Sequence, residues 1–261
     1  MKSLILAFQF LTIIPMGRSF YVADPDHAKC TSYFVLVGLF QGIALVASDL
    51  LFGRLFHPDL TILIVLLTLI ASNGAFHLDA LADTFDALAV RGDREEKLSV
   101  MKDGAVGPIG VVSIISVLGL KYLALRNISH LLPFTYYSSL LLMPVISKWA
   151  MVWALFYGRP AREDGLGVSF IGKVRFRELS ISTAILIAIF AVTLLPGNYV
   201  PANQVPFYGL LMVTVYLLSR LLVPFYTRHF GGLTGDTVGS ISEITEVGFL
   251  IMVIAWSRFS I

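Results

Sequence analysis

The chain has a single cysteine and few charged residues. Cys30 alone cannot form an intrachain disulfide, and we interpret it as an inert, small residue. Charged residues make up 14% of the 261 residues, the basic ones form no tract, and the formal net charge is only +2. We therefore expect no nucleic-acid partner. The sequence also lacks repeats, low-complexity stretches and any segment long enough for a separate soluble domain.

Long apolar runs dominate instead, with 57% hydrophobic residues and a mean hydropathy of +0.82. Most runs approach the ~20 residues that a helix needs to cross a bilayer. We predict an all-α, polytopic membrane bundle of six to eight segments in one domain, 1–261, with a retained first segment. The segments are Leu4–Ile14, Tyr33–Phe52, Leu60–Phe76, Val106–Leu125, Leu131–Tyr157, Leu179–Leu195, Phe207–Val223 and Val247–Phe259, and the short first and last ones are the doubtful spans.

Three long polar connections separate these segments: His77–Ala105, Gly158–Glu178 and Pro224–Glu246. Two spans lie between each and the next, so all three are predicted to emerge on one side. They carry most of the basic residues, whereas Pro196–Pro206 on the other side has no charge, and the positive-inside rule makes the basic side cytoplasmic. The basic residues are Arg91, Arg94, Lys97, Lys102, Arg159, Arg162, Lys173, Arg175, Arg177 and Arg228, joined by Arg18 and Lys29 if the second segment spans.

The first connection opens with three acids next to an apolar span. On a helix, Asp79, Asp83 and Asp86 fall within roughly a 60° arc of one face and repel one another. A divalent cation removes this conflict, and oxygen ligands without a Cys or His cluster favour Mg²⁺ or Mn²⁺. The pattern therefore predicts a metal-assisted phosphate site, and the alternative is a solvated acidic helix face.

The same connection ends in Met101–Gly110, a glycine-containing segment before the next span. Here Asp103 offers a fourth carboxylate and Lys102 a phosphate partner, while the glycines permit close approach to a ligand. A turn with close helix packing explains the glycines equally simply.

Cationic candidates follow in the second connection and the span before it. Arg159 and Arg162 can grip a diphosphate with forked hydrogen bonds, or serve as positive-inside anchors. Lys148 lies inside an apolar segment, so we expect it to face a partner or a cavity and count it among the candidates for substrate binding, with snorkelling as the alternative.

The third connection contains a glycine-rich stretch, Gly231–Gly239. Before a helix N-terminus such backbone forms an anion site, which makes Thr234 and Gly235 candidates for substrate binding. The stretch lacks the Lys-Ser/Thr ending of a Walker loop, so ATP hydrolysis is not predicted. Asp236 is a candidate metal or substrate ligand, and Ser240 with Glu243 fits a capping box.

Four ordered blocks resemble the cobalamin synthase family, the adenosylcobinamide-GDP ribazoletransferases. The family patterns are close to H-L-D-G-L-A-D-x-x-D, M-K-D-x-x-x-G-x-x-G, A-R-x-x-G-L-G and G-G-x-T-G-D-x-x-G. The matching blocks are His77–Asp86, Met101–Gly110, Ala161–Gly167 and Gly231–Gly239, with Phe10–Pro15 and Phe170–Lys173 as weaker matches. Ala80 replaces a usual Gly and Ile13 a usual Arg; neither change removes a carboxylate.

The resemblance implies a Mg²⁺-dependent enzyme of the prokaryotic inner membrane. Such an enzyme joins adenosylcobinamide-GDP to α-ribazole, or to its 5′-phosphate, and releases GMP. On this view Asp79, Asp83 and Asp86 hold metal, and Asp103 and Asp236 complete the coordination or orient the nucleophile. Lys102, Arg159 and Arg162 hold the diphosphate and the departing GMP, and His77 is a base, an orienting group or a helix cap.

Two alternatives belong to other functional classes. A CDP-alcohol phosphotransferase uses a similar acidic helix, but its pattern requires Gly-x-x-Ala-Arg after the first acids, which is missing here. An ion-coupled transporter would use intramembrane acids and Lys148, yet no paired halves are visible. The sequence leaves the oligomeric state open, a homo-oligomer included.

Overall fold

The computed structural model describes residues 2–16, 27–195 and 204–259. Within these ranges the chain is helical, and one isolated bridge joins Pro160 and Leu233. Short 3-10 helices cover His27–Tyr33 and Leu166–Ser169. The α-helices are α1 (Lys2–Leu11), α2 (Phe34–Phe52), α3 (Pro58–Asn73), α4 (Phe76–Ala89), α5 (Arg94–Asp103), α6 (Pro108–Ile128), α7 (Pro133–Tyr157), α8 (Phe176–Thr193), α9 (Gln204–Phe230) and α10 (Gly235–Phe259).

Six described helices are long and apolar enough to cross a membrane, which confirms the predicted all-α polytopic fold. They are His27–Phe52, which contains α2, and α6, α7, α8, α9 and α10. With only ten residues, α1 is too short to span alone.

The last span is longer than the sequence predicted. Helix α10 begins at Gly235 rather than near Val247, and α9 continues through Pro224 to Phe230. The prediction of a polar connection over Pro224–Glu246 was therefore wrong, except for residues 231–234. Its polar residues resemble a loop in sequence, but Glu243 and Glu246 are buried between helices.

The third apolar segment is the opposite case, because it is interrupted. We predicted a span over Leu60–Phe76, yet α3 has 16 residues and covers roughly 24 Å, less than the ~30 Å hydrocarbon core. Gly74 and Ala75 both adopt left-handed conformations, with φ of 64° and 62°. They turn the chain by 86° into α4, so the pair forms either a broken span or a re-entrant segment.

Helix α7 is the centre of the bundle and is largely buried. It packs against α2, α8, α9 and α10. Gly38 and Gly42, one turn apart on α2, allow the closest backbone approach: a Cβ on either would lie within 2.5 Å of a carbonyl oxygen of α7. Small residues are the usual means by which membrane helices pack closely.

The polar connections meet at one end of this bundle. Ala161 N–H donates to Leu233 O at 2.8 Å, and Leu233 N–H donates to Arg159 O at 2.7 Å. Because α6, α7, α8 and α9 are each long enough to cross, these connections lie on one side, as predicted. The uncharged 196–203 segment and Arg18 lie outside the described residues.

Candidate active site

Asp79, Asp83 and Asp86, the three predicted acids, all lie on helix α4, which follows the break at Gly74. Its last acid, Asp86, accepts hydrogen bonds from Gly107 N–H at 2.7 Å and Gly110 N–H at 2.8 Å. Both carboxylate oxygens thus satisfy N–H groups at the start of α6, where the helix dipole also favours negative charge. A Cβ on Gly107 or Gly110 would lie within 2.6 Å of this carboxylate. The two glycines therefore make room for Asp86.

The other two acids are free of such partners. Asp79 is exposed and Asp83 nearly buried, and neither side chain has a hydrogen-bond donor within the described part of the chain. Asp83 experiences the negative charges of Asp79, Asp236 and Asp86, in that order of strength. The structure thus places Asp79, Asp83, Asp86 and Asp236 close enough for their negative charges to repel one another, and of these only Asp79 and Asp83 have no donor or cation beside them within the described residues.

These carboxylates do not converge on a single metal position. In residues 2–16, 27–195 and 204–259, no three His, Cys, Asp or Glu side chains are arranged so that they could hold a metal ion. Asp103 is exposed at the end of α5, and no contact described for it joins it to the other acids. Its predicted place in the metal site remains a prediction.

The glycine-rich stretch contains the N-terminus of α10, which begins at Gly235 inside the stretch and not at Ser240 as predicted. Thr237 N–H donates to Thr234 Oγ1 at 3.1 Å, and Thr234 N–H donates to Thr237 Oγ1 at 2.9 Å. This reciprocal pair fixes the first turn of α10, where Gly235 and Asp236 stand. The positive end of the helix dipole therefore points towards Asp236 and its surroundings.

Arg162 faces Asp236 across this helix terminus. Its Nη2 lies 3.5 Å from Asp236 Oδ2, and its Nε lies 3.8 Å from Asp164 Oδ1. Both Arg162 Nη1 and Asp236 Oδ2 are buried and make no hydrogen bond within the described structure. Buried polar atoms without hydrogen bonds are costly and suggest an absent ligand.

A cavity of about 180 Å³ lies beside this pair. Its wall contains residues from all but one of the blocks that resemble the family: Phe10, Leu11, His77, Arg162, Gly165, Gly167, Phe170, Ile171, Leu233, Thr234, Gly235, Asp236 and Gly239. Asp79 and Asp83 are not in the wall, but both lie close enough to Asp236 in the wall for their negative charges to repel it. The cavity can admit a phosphate-bearing part of a ligand, whereas a much larger ligand must extend outside it.

Lys102 bridges the first and second connections. Its Nζ donates to Asp164 Oδ2 at 2.5 Å, although both side chains are more than half exposed. This hydrogen bond, with the nearby charges of Lys102 and Arg162, lowers the pKa of Asp164. Lys102 therefore lies near the cavity entrance, because Asp164 is also part of the wall.

Two predicted cations lie elsewhere. Arg159 is exposed in a separate cleft beside α9. Lys148 is fully buried, 3.7 Å from Glu246 Oε1, 3.2 Å from Ser242 Oγ and 3.5 Å from His77 Nδ1. These contacts give Lys148 protein partners rather than access to a substrate, and they do not support its predicted substrate-binding role.

A buried ionic network behind the cavity was missed by the sequence reasoning. Lys121 of α6 contacts Glu243 at 2.6 Å and Glu246 at 2.5 Å, and all three side chains are buried. Ser147 donates to Glu246 at 2.9 Å. The capping box assigned to Ser240 and Glu243 was wrong, because α10 starts five residues before Ser240. The available signal was Lys121 itself, an ammonium inside an apolar run.

Comparisons with known proteins identify the family. A family model described as Cobalamin-5-phosphate synthase matches residues 3–254. The chain belongs to the cobalamin-5-phosphate synthase family. A relative from Geotalea daltonii, named adenosylcobinamide-GDP ribazoletransferase, is 35% identical over 96% of both chains. Relatives with the same name from Caldanaerobacter subterraneus subsp. tengcongensis and Thermodesulfovibrio yellowstonii are 35% and 30% identical, and they cover 100% and 95% of this chain and 98% and 94% of their own.

No solved structure matches the chain. Membership of this enzyme family favours the cobalamin interpretation over the lipid phosphotransferase and the transporter. All but one of the blocks that resemble the family contribute residues to the cavity wall; the exception is Met101–Gly110.

Proposed function

We propose that this protein is a Mg²⁺-dependent adenosylcobinamide-GDP ribazoletransferase. It would transfer the adenosylcobinamide-phosphate moiety to α-ribazole, or to its 5′-phosphate, and release GMP. The observation that supports this most directly is the pair of buried atoms without hydrogen bonds, Arg162 Nη1 and Asp236 Oδ2, beside a cavity at the start of α10. Cleavage of a diphosphate needs both a cation and metal ligands at the same place.

Arg162 is suited to bind the diphosphate. Its guanidinium can donate two parallel hydrogen bonds to phosphate oxygens, and Nη1 is available for one of them. The N-terminus of α10 adds a positive dipole on the same side. Lys102, at the entrance, can exchange Asp164 for a phosphate oxygen, because its present ion pair is solvent-exposed and therefore weak.

One or two of the carboxylates could hold a magnesium ion together with water and substrate phosphate, although no three of the described ones converge. Asp79, Asp83 and Asp236 supply hard oxygen ligands, they repel one another, and Asp236 Oδ2 lacks a hydrogen bond. Mg²⁺ usually takes one or two carboxylates, with waters and substrate phosphates in its other positions, so the protein need not provide a complete cage. When bound, the ion would neutralise charge on the departing GMP phosphate. Asp86 would remain the cap of α6.

His77 is suited to orient rather than to move a proton. Its ring lines the cavity, and its Nδ1 lies 3.5 Å from both Asn73 Nδ2 and Lys148 Nζ. These contacts tie the first turn of α4 to α3 and α7. A phosphate nucleophile needs no base, whereas the hydroxyl of unphosphorylated α-ribazole would need one, and Asp79 and Asp83, which have no hydrogen-bond donor within the described residues, are the candidates.

The active end would face the cytoplasm of a prokaryotic cell, in the inner membrane. The support is the charge distribution: the end where the connections meet contains Arg159, Arg162, Lys173, Arg175 and Arg177. A reporter fused within 196–203 tests this orientation, because a cytoplasmic signal from that segment would show that the protein has the opposite orientation.

The activity test uses the purified protein in nanodiscs with adenosylcobinamide-GDP and either α-ribazole or its 5′-phosphate. We expect GMP release and a corrinoid product only when Mg²⁺ is present. Arg162→Gln and Asp236→Asn should abolish turnover, whereas Glu163→Gln, an exposed change in the same connection, should not. Absence of product under conditions where a known relative is active would refute the proposal.

A further inference from the structure

A second cationic site lies outside the cavity, between the end of α7 and the outer face of α9. Three arginines line a cleft of about 510 Å³ together with apolar and hydroxyl groups: Tyr157, Arg159, Arg220, Val223, Pro224, Thr227 and Arg228. No carboxylate lines it, and none of the three guanidiniums forms an ion pair with a described residue. Three positive charges are thus concentrated without compensation.

The residues around the cleft are of the kinds expected near a membrane boundary. Arg220 is ten residues before the end of α9, roughly 15 Å along the helix. Its apolar neighbours Leu217 and Leu221 are 52% and 69% exposed, as expected for a lipid-facing surface. The Arg220 guanidinium is 4.4 Å from the ring centre of Tyr157, the last residue of α7. Tyrosines at helix ends typically mark the headgroup region, and arginine side chains extend towards it.

This cleft is separate from the cavity. The two share no lining residue, and the backbone pairing of residues 159–161 with Leu233 lies between them. Arg159 therefore faces α9 on one side of the pairing, and Arg162 faces Asp236 on the other. An anion in the cleft would not need to be the substrate in the cavity.

We propose that the Arg159–Arg220–Arg228 cleft binds the phosphate of an anionic phospholipid headgroup. Guanidinium groups form forked hydrogen bonds with phosphate, and basic pockets between membrane helices at the cytoplasmic boundary bind such headgroups. Val223 and Pro224 provide an apolar wall next to the charges, which suits the junction between a headgroup and its acyl chains. A free diphosphate shares the phosphate chemistry but would gain nothing from this wall or from the position at the boundary.

The test compares lipid retention by the full-length protein and its variants. Purified protein is placed in nanodiscs of phosphatidylcholine and phosphatidylglycerol, and native mass spectrometry counts the lipids that remain bound after release. We expect selective retention of phosphatidylglycerol, reduced about fivefold by Arg228→Gln and again about fivefold by adding Arg220→Gln. Arg220→Lys should retain part of the effect, because it keeps the charge and loses the fork.

Arg177→Gln is the matched control, since it removes one exposed positive charge at the same end of the bundle outside the cleft. It should leave retention unchanged. The proposal is overturned if the control lowers retention as much as Arg228→Gln, or if wild type shows no preference for phosphatidylglycerol. It is also overturned if inorganic diphosphate displaces the lipid signal while Arg228→Gln raises KM for adenosylcobinamide-GDP. Unchanged thermal unfolding of Arg228→Gln shows that any loss is not misfolding.

Discussion

Replacing Asp86 with asparagine should distinguish its structural role from the metal-binding role that we propose for Asp79 and Asp83 on the same helix. Asp86 accepts two backbone hydrogen bonds, from Gly107 and Gly110, and hydrogen bonds to a charged group contribute about 1.5–3 kcal/mol each. Asparagine keeps one acceptor and turns an NH₂ group towards the other N–H. The space is too tight for a replacing water, because even a Cβ on Gly110 would lie 2.3 Å from the carboxylate.

We therefore expect Asp86→Asn to lose about 2 kcal/mol of stability, which corresponds to a fall of roughly 4–8 °C in the unfolding midpoint for a chain of this size. The assay is thermal unfolding in detergent, followed by the GMP-release assay at a temperature where the variant is folded. The comparison is Asp83→Asn, which removes a carboxylate that only repels its neighbours. That variant should melt at or above the wild-type temperature and lose Mg²⁺-dependent turnover.

Two results would refute this reasoning. A wild-type melting point for Asp86→Asn would show that the cap of α6 contributes nothing. Near-normal activity of Asp83→Asn would remove the basis for placing metal on this face of α4.

Three further predictions concern the interior of the bundle and the break between α3 and α4. Lys121→Met should destabilise the protein by about 3–5 kcal/mol in thermal unfolding, because it leaves two glutamates buried without their cation. Replacing both Glu243 and Glu246 with glutamine in the same variant should restore much of the lost stability. Gly239→Leu should lower the stability by at least about 1–3 kcal/mol and also lower the yield of folded protein in the membrane. The reason is that even a Cβ at this position would lie 2.6 Å from the methyl group of Ala80. A normal yield would contradict this close approach. Ala75→Gly should raise the unfolding midpoint by relieving a left-handed alanine, a gain of about 0.5–1 kcal/mol, and a lower midpoint would mean that the bend is not strained.

The fold class and the convergence of the connections could be predicted because they depend on local properties. The number of candidate spans follows, to within two, from the apolar runs that are long enough to cross a bilayer. Because two spans separate each polar connection from the next, all three connections are expected on the same side of the membrane. The helical spacing of Asp79 and Asp83 was likewise sufficient to place them on one face. The Thr234 cap was not predicted, although threonine is a common residue at the start of a helix.

The errors arose where a residue's partner is distant in sequence. Glu243 and Glu246 made α10 look like a loop, because their partner Lys121 lies over a hundred residues earlier. Asp86 looked like its two neighbours, although its hydrogen bonds to the start of α6 set it apart. The break at Gly74 was hidden because the next residue is an alanine, which rarely adopts a left-handed conformation.

The buried pairing of Lys121 with Glu243 and Glu246 also constrains how the protein is made. The lysine is synthesised 122 residues before Glu243, so at about 5–20 residues per second it precedes its partner by roughly 6–24 s. During that time α6 carries a cation with no counter-charge inside the bilayer. We therefore expect α6 to settle into its final position only when α10 inserts, and a chain truncated before residue 235 to be recognised and degraded as incomplete. The counter-charges of Lys121 are therefore supplied by the last helix that the structure describes.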